Sequence, residues 1–274
     1  MGQRILVAVI FVPILLAIML LLPPIAWTGV VMFISAVAAF ELLRAAGERR
    51  VSPPMQAASI LSAAALPLCC WAGVWAPAAG VCAFGVMTVS FWCAIRAYDE
   101  GGVSIGFFQV LLTLFAGVMV PMGLSALVAL KCMAQGEYLV LLAVLLAFVT
   151  DAGAYFAGVF LGRHRGVTRV SPNKSLEGYL GGFLTGVVFA LGYGAVISAV
   201  SAQAVNYLSL ALCGLFGALA TELGDLAFSF IKRQYGVKDY GHLLPGHGGM
   251  LDRFDSMVFA APTLMLLVEV CPPL

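Results

Sequence analysis

Acidic side chains recur at short intervals near the C-terminal end of this chain. Glu222 and Asp225 are three residues apart, so they would share one face of a helix. Asp252 and Asp255 repeat this spacing after a turn rich in glycine, and Asp239 lies between the two pairs. Carboxylate oxygens are ligands that Mg²⁺ prefers. The pattern predicts a site in which carboxylates hold Mg²⁺ beside a polyphosphate undergoing displacement.

Basic side chains and glycines accompany these acids. The basic residues are Lys232, Arg233, Lys238 and Arg253. Such cations would neutralise phosphates, while Gly248 and Gly249 would let the backbone approach them closely. His247 precedes the glycines, and Ser229 continues the helix face of Asp225. A solvated loop with ordinary helix caps would explain one aspartate at a helix start, but not this density of charge.

Two further polar clusters lie upstream. Asp151 is 12 residues before Arg163 in an apolar run, which is roughly 18 Å along a continuous helix. A carboxylate at that depth normally faces a bundle interior or a wet cavity. Lys174 lies between a Ser-Pro-Asn turn and a helix start capped by Ser175, an arrangement that favours phosphate binding. For Arg163 and Arg165, a role in membrane topogenesis or in attracting anionic lipids explains the charge as well as a functional role does.

The rest of the sequence is strongly apolar. Of its 274 residues, 62% are hydrophobic and 10% are charged, whereas soluble domains carry about 25% charged residues. This composition excludes an ordinary soluble enzyme, a disordered chain and a nucleic-acid binder. Seven cysteines without a CxxC pair indicate neither a disulfide framework nor a zinc site.

Nine apolar stretches are each near the length of about 20 residues that a membrane-spanning helix needs. They are 5–22, 25–43, 56–76, 78–96, 107–130, 138–161, 178–200, 204–230 and 256–271. The fold class is therefore an all-α polytopic membrane protein with about nine transmembrane helices. Pro77 should separate the third span from the fourth. The first span is expected to be retained, because no small-residue cleavage site follows it.

The basic residues lie almost entirely on one side of this topology. Nine spans alternate the connections between two sides, and 13 of the 14 Lys and Arg residues fall on the side of the N-terminus. Lys131 alone falls on the other side. Since cytoplasmic loops carry the excess of Lys and Arg, we expect a cytoplasmic N-terminus and active site, with the C-terminus outside.

The stretch from Ser229 to Asp255 resembles the signature of the phosphatidate cytidylyltransferases, or CDP-diacylglycerol synthases. That signature is Ser-x-apolar-Lys-Arg, four residues, Lys-Asp, a short turn, His-Gly-Gly and Asp-Arg-apolar-Asp. Here it reads SFIKR, QYGV, KD, YGHLLPG, HGG, ML, DRFD. The upstream DAGAY run (151–155) and SPNKSLEG loop (171–178) are similar to the family as well. The resemblance is specific over 150–262 and is one of hydropathy alone over 1–149.

The resemblance implies that the protein transfers a cytidylyl group from CTP to phosphatidic acid, giving CDP-diacylglycerol and pyrophosphate in the cytoplasmic membrane. It assigns Asp225 and Asp252 to Mg²⁺, with Asp255 and Asp239 next in line. The residues expected to hold phosphates or to shape the substrate pocket are Lys174, Lys232, Arg233, Lys238, Ser171, Ser175, Ser229, His247, Gly248, Gly249 and Arg253. Asp151 and Glu222 would line the polar cavity behind the site.

The same reasoning divides the chain into two regions. Residues 138–274 would form the catalytic region, and residues 1–137 would serve as a scaffold or lipid entrance. Helices rich in small residues allow a homodimer. Whether a monovalent ion accompanies Mg²⁺ stays open. One position departs from the family pattern, since Phe228 stands where members often carry glutamate. We expect no metal ligand to be lost there, but any tuning role of that glutamate is absent.

Other classes of protein remain as alternatives. The nearest is another CTP-dependent membrane enzyme that acts on polyprenyl phosphate or diacylglycerol. An ion-coupled transporter would use the intramembrane acids as a relay, but the charges gather at one face and no inverted repeat is visible. A scaffold protein would not need five acidic residues around one basic loop.

Overall fold

A computed structural model describes residues 13–47, 50–101, 105–201, 203–243 and 248–274. Within these ranges the chain forms helices and no strand, with one isolated backbone bridge between Arg165 and Ser175. Seven of the described helices are long and apolar enough to cross a membrane. Helices satisfy every backbone polar group internally, which lipid requires. The prediction of an all-α polytopic membrane protein is therefore confirmed.

The long helices follow the predicted spans closely. They are α1 (Pro24–Ala46), α2 (Pro53–Trp71), α3 (Trp75–Asp99), α4 (Phe107–Cys132), α5 (Gly136–Phe160), α6 (Leu176–Ser201) and α7 (Tyr207–Gln234). Two shorter helices follow, α8 (Leu251–Phe254) and α9 (Met257–Val270).

The count of about nine spans is not confirmed. The predicted span 256–271 corresponds to α9, which has 14 residues and is shorter than the length of about 20 residues that crosses a bilayer unaided. Residues 5–12 of the predicted span 5–22 lie outside the described residues, and residues 13–21 are helical.

The sequence predicted that Pro77 separates the third span from the fourth, but the structure shows otherwise. Instead α3 begins at Trp75, so that Pro77 lies in the first helical turn, where a missing N–H breaks no helical hydrogen bond. The break falls at Gly73, whose φ of 75° is a conformation that glycine adopts without strain.

Backbone packing divides the chain into two compact units. The first unit comprises Met1–Cys132 and Ile231–Phe254, and the second comprises Met133–Phe230 and Asp255–Leu274. These units group residues by packing alone. The functional division into residues 1–137 and 138–274 stays a prediction.

In the first unit, serine hydroxyls join α2 to α4. The hydroxyl of Ser59 donates to the carbonyl of Thr113, and that of Ser62 donates to the carbonyl of Gly117. Gly117 belongs to a π-helical segment, Phe115–Met119, in the middle of α4. A Cβ at Gly117 would lie 2.8 Å from the Cα of Ser59, so glycine allows this close approach.

Lys131, the basic residue predicted on the sparsely charged side, is buried in the first unit. Its ammonium donates to the carbonyl of Met19, in the last turn of the helical segment 13–21. A cation at the C-terminal end of a helix satisfies carbonyls that lack a helical partner and interacts favourably with the helix dipole. Lys131 therefore has a packing role, which explains why this one basic residue lies on the side predicted to carry no others.

In the second unit, small residues bring α5, α6 and α7 together. A Cβ at Gly182 in α6 would lie 3.1 Å from the Cβ of Ala154 in α5. A Cβ at Gly214 in α7 would lie 2.7 Å from the Cα of Val187 in α6. Because the backbones approach this closely, polar side chains on the three helices can meet at short distances.

Candidate active site

The ammonium of Lys174 joins two carboxylates of α7 in the second unit. Its Nζ lies 2.6 Å from Oε2 of Glu222 and 2.7 Å from Oδ2 of Asp225. The side chain of Glu222 is 3% exposed, whereas those of Lys174 and Asp225 are 25% and 28% exposed. The cluster therefore has a buried carboxylate at its base, with the ammonium and a second carboxylate reaching solvent.

These carboxylates also set the protonation of Lys174, which lies outside the membrane-spanning helices. Burial by itself disfavours the charged ammonium, but the negative charges of Asp225 and Glu222 and their hydrogen bonds outweigh this effect. The pKa of Lys174 is consequently raised above its ordinary value. Lys174 is thus a permanent cation at neutral pH, as the binding of a phosphate group requires.

A cavity of about 430 Å³ opens beside this cluster. Residues of α5 and the start of α6 line it, and the side chains with polar groups are Asp151, Tyr155, Arg165, Asn173, Lys174, Ser175 and Asp225. The sequence placed Asp151 at a wet cavity, and the structure puts it in the same cavity wall as Lys174 and Asp225. Basic and acidic groups in one concave site are typical of a binding pocket for a charged ligand.

The loop before α6 fixes Lys174 at the cavity edge. The fully buried hydroxyl of Ser175 accepts the N–H of Gly178 at 3.1 Å and so caps α6. The carbonyl of Ser171 accepts the N–H of Lys174 at 3.1 Å, which closes a turn. Ser171 and Ser175 were predicted to bind substrate, and in the structure the hydrogen bonds of both shape the loop that carries Lys174.

Asp252 anchors a second polar cluster, in the first unit. Its Oδ1 lies 2.9 Å from the ammonium of Lys232. Its Oδ2 accepts the backbone N–H groups of Tyr240 and Gly249 at 2.8 and 3.0 Å. The carboxylate is 4% exposed, so its charge is balanced by an ammonium and by backbone dipoles rather than by water.

Gly248 has a conformation that explains why a glycine is needed in the His-Gly-Gly motif. Its φ is 83°, a region that other residues enter only with strain. A Cβ there would also lie 3.1 Å from Oδ2 of Asp252 and 3.4 Å from Oδ1 of Asp239. The glycine therefore lets the backbone pass directly over the two carboxylates. His247 lies outside the described residues.

The other predicted site residues differ in their surroundings. In the first unit, Arg233, Lys238 and Arg253 are exposed, and Asp239 is half-buried in the wall of a cavity of about 580 Å³. In the second unit, Ser229 is half-buried, and Asp255 is buried with its Oδ1 accepting the N–H of Ser256 at 2.8 Å. The predicted residues of the first unit thus include the Lys232–Asp252 ion pair, and those of the second unit include Lys174 with Glu222 and Asp225.

The described residues contain no cluster of three or more His, Cys, Asp or Glu side chains arranged to hold a metal ion. The donor chemistry of the second unit nevertheless fits a hard cation. Oε1 of Glu222 is buried and has no hydrogen-bond partner among the described residues, and Asp225 follows one helical turn later. Mg²⁺ prefers such oxygen ligands.

Glu41 is a buried acid that sequence reasoning missed. It lies in α1, and its two carboxylate oxygens accept the backbone N–H groups of Met250 and Leu251. The available signal was a single glutamate within an apolar span, since charged residues in such spans usually mark function.

Comparison with known proteins decides the family. The model of the cytidylyltransferase family matches residues 2–271 of this chain. The chain belongs to the cytidylyltransferase family. The match covers the N-terminal helices as well as the signature, so the family relationship reaches beyond the specific resemblance found over 150–262.

Relatives of this family member include three bacterial proteins named phosphatidate cytidylyltransferase. The Bacillus subtilis protein is 45% identical over 119 residues, which are 43% of this chain and 43% of the relative. The Staphylococcus saprophyticus protein is 36% identical over 146 residues, 53% and 55% of the two chains. The Staphylococcus aureus (strain COL) protein is 40% identical over 137 residues, 49% and 50% of the two chains. The chain spans about half the length of the curated relatives it matches.

The departure from the family pattern at Phe228 has a structural counterpart. Its side chain is fully buried in the second unit, three residues after the half-buried Asp225. A buried glutamate at this position would need a partner for its charge, whereas the neutral side chain of phenylalanine needs none. Glu222 and Asp225 are thus paired with Lys174 without a glutamate at position 228.

Proposed function

We propose that this protein transfers a cytidylyl group from CTP to phosphatidic acid and releases CDP-diacylglycerol and pyrophosphate. The observation that carries the proposal is the ammonium of Lys174, held by Glu222 and Asp225 at the edge of a polar cavity in a membrane protein. Membership of the cytidylyltransferase family and relatives named for this activity support the same reaction.

The reaction balances without a further reactant. A phosphate oxygen of the lipid attacks the α-phosphorus of CTP and forms a new P–O bond. The bond between the α-phosphorus and the oxygen bridging to the β-phosphate breaks, and its electron pair leaves with pyrophosphate. Since the lipid phosphate is already anionic near neutral pH, the protein has to position the reactants and neutralise their charge.

Lys174 is suited to binding one of these phosphates. An ammonium has three N–H donors, and the two carboxylates account for two of them. The third can donate to a phosphate oxygen while the carboxylates keep the ammonium in place. We assign phosphate binding also to Lys232, Arg233 and Lys238, and substrate contacts to Ser171, Ser175, Ser229, His247, Gly248, Gly249 and Arg253.

Mg²⁺ is part of this proposal. Asp225 and Asp252 are the candidate ligands, followed by Asp255 and Asp239, while Asp151 and Glu222 line the polar surroundings. The ion would supply positive charge to the triphosphate and stabilise charge on the leaving pyrophosphate. The buried, unpartnered Oε1 of Glu222 favours a cation near α7. Measuring the activity with and without added monovalent ions tests whether such an ion is also bound.

The membrane arrangement is proposed from the charge distribution. We place the protein in the cytoplasmic membrane with its N-terminus and active site in the cytoplasm and its C-terminus outside. CTP would then reach the site from the cytoplasm, and the lipid would enter sideways from the bilayer. A homodimer is consistent with the helices rich in small residues.

The experiment that tests the proposal supplies purified protein in mixed micelles with CTP, Mg²⁺ and one lipid acceptor at a time. We expect lipid-linked cytidylate with phosphatidic acid, and none without Mg²⁺ or with Asp252→Asn. The matched control is Asp99→Asn, which changes an exposed aspartate at the end of α3 in the same unit. Product formed from polyprenyl phosphate or diacylglycerol, but not from phosphatidic acid, would show that phosphatidic acid is not the lipid acceptor.

A further inference from the structure

Glu41 is an acid inside an apolar helix that the proposed chemistry does not use. Its side chain is 4% exposed. Oε1 accepts the N–H of Met250 at 3.0 Å, and Oε2 accepts the N–H of Leu251 at 2.8 Å. A carboxylate that accepts two backbone N–H groups makes charge-assisted hydrogen bonds, which are stronger than neutral ones. Glu41 therefore ties α1 to backbone more than 200 residues later.

Two glycines close around the same carboxylate. A Cβ at Gly241 would lie 2.2 Å from Oε1 of Glu41, and a Cβ at Gly249 would lie 2.5 Å from Oε2. Real Cβ atoms do not lie this close, so a side chain at either position would require the Glu41 carboxylate to shift from its place. The chain thus contacts Glu41 on both sides of residues 244–247, at Gly241 and at Gly249, the last residue of the His-Gly-Gly motif.

The backbone held by Glu41 is also the backbone that holds Asp252. Three consecutive N–H groups, at residues 249 to 251, point to carboxylates: the first to Asp252 and the next two to Glu41. Asp252 itself lies in α8, which packs against α1. Loss of the Glu41 contacts would release the residues immediately before Asp252 and so weaken the constraint on its orientation, leaving the contacts with Lys232 and Tyr240.

We propose that Glu41 is a positioning residue for cytidylyl transfer. It holds the backbone at residues 249–251 in place and thereby orients the carboxylate of Asp252. The same contact positions the backbone of Gly248 and Gly249, which we propose approaches the phosphates. This inference rests on the proposed function and extends the functional site to α1, within the region that the sequence assigned to scaffolding or lipid entry.

The decisive variant is Glu41→Gln, which keeps the size of the side chain. One carboxylate oxygen becomes an NH₂ group that faces a backbone N–H, so at least one clamp bond is lost. The control is Glu100→Gln, which makes the same change at an exposed position of the same unit. Gly241→Ala is a second variant, because its methyl group displaces the Glu41 carboxylate from the opposite side.

Two measurements are made on the full chain. In the steady-state assay, we expect Glu41→Gln and Gly241→Ala to lower kcat by about 100-fold, with the KM for CTP little changed, because small misplacement of a reacting group has effects of this size. By hydrogen exchange, peptides covering 249–254 should exchange faster in both variants than in the wild type. Glu100→Gln should match the wild type in both measurements.

The outcomes separate the clamp from a general packing role. A kcat in Glu41→Gln equal to that of Glu100→Gln would overturn the proposal, as would a loss that only follows the fraction of folded protein in each sample. Unchanged exchange over 249–254 would also overturn it. If the wild type fails to transfer cytidylate, the proposed function is wrong, while hydrogen exchange still decides whether Glu41 clamps this backbone.

Discussion

Lys174 and Glu222 are 48 residues apart in the sequence, and their ion pair forms where α6 and α7 pack together. The local sequence predicted Lys174 as a phosphate ligand, and the family resemblance implied that Glu222 lines the cavity. The sequence could not show that they contact each other, since local spacing carries no information on which helix faces approach. Glu41 was missed for the same reason, as its partners are backbone groups.

Replacement of Lys174 should leave two neighbouring carboxylates without their cation. We expect Lys174→Met to lower kcat/KM by about 100-fold, the order of effect seen when one preorganised electrostatic group is removed. The control is Arg169→Gln, which removes an exposed cation from the same loop. Steady-state kinetics with both variants check this, and equal activity would show that the charge of Lys174 has no part in catalysis.

The pKa of Lys174 gives a prediction for pH. A cation whose pKa is raised on folding stabilises the folded state below its unfolded pKa of about 10.4, and this stabilisation is lost only as the pH rises through the higher folded value. The difference in thermal midpoint between wild type and Lys174→Met should therefore stay constant from about pH 7 to about pH 9. A difference that vanishes within this window would contradict the raised pKa.

At the scale of helices, apolar length and charge placement predicted most of the spans to within a few residues. Pro77 misled the prediction because proline is tolerated in the first turn of a helix, as at the start of α3. The π-helical segment in α4 was not predicted from the sequence, and it coincides with the close approach of α2 at Gly117.

Glycines at the contacts of α6 and α7 give a prediction at this scale. A Cβ at Gly214 would lie 2.7 Å from the backbone of Val187, whereas a Cβ at Gly192 meets nothing within 4 Å. We expect Gly214→Ala to destabilise the protein by about 1–3 kcal/mol, the usual cost of overpacking. Gly192→Ala should be neutral or stabilising, since alanine is the better helix former.

Thermal unfolding in one detergent compares these two variants directly. Because both substitutions add one methyl group to a glycine of a membrane-spanning helix, changes in composition cancel. Equal midpoints for Gly214→Ala and Gly192→Ala would show that close packing at Gly214 is not needed for stability.

For the whole molecule, the asymmetry of basic residues predicts the orientation in the membrane. The loop before α6 should face the cytoplasm, and the end of α4 should face outward. Cys132 is an exposed free thiol at the end of α4, so it is a native probe of the outer side. Arg169→Cys places a matching thiol in the loop before α6.

We expect a membrane-impermeant maleimide to label Cys132 in intact cells and to label Arg169→Cys only after the membrane is opened. Variants that carry one cysteine each keep the two signals apart. Labelling of Arg169→Cys in intact cells, with Cys132 protected, would reverse the proposed orientation.

In the proposed reaction, the α-phosphate of CTP passes to the lipid together with its nucleoside. The most direct measurement compares CTP labelled at its α-phosphate with CTP labelled at its γ-phosphate, each incubated with the protein, phosphatidic acid and Mg²⁺. We predict label in the lipid phase from the α-position alone, with the γ-label recovered in pyrophosphate. Lipid labelled from the γ-position would rule out cytidylyl transfer and would identify the protein as a CTP-dependent kinase instead.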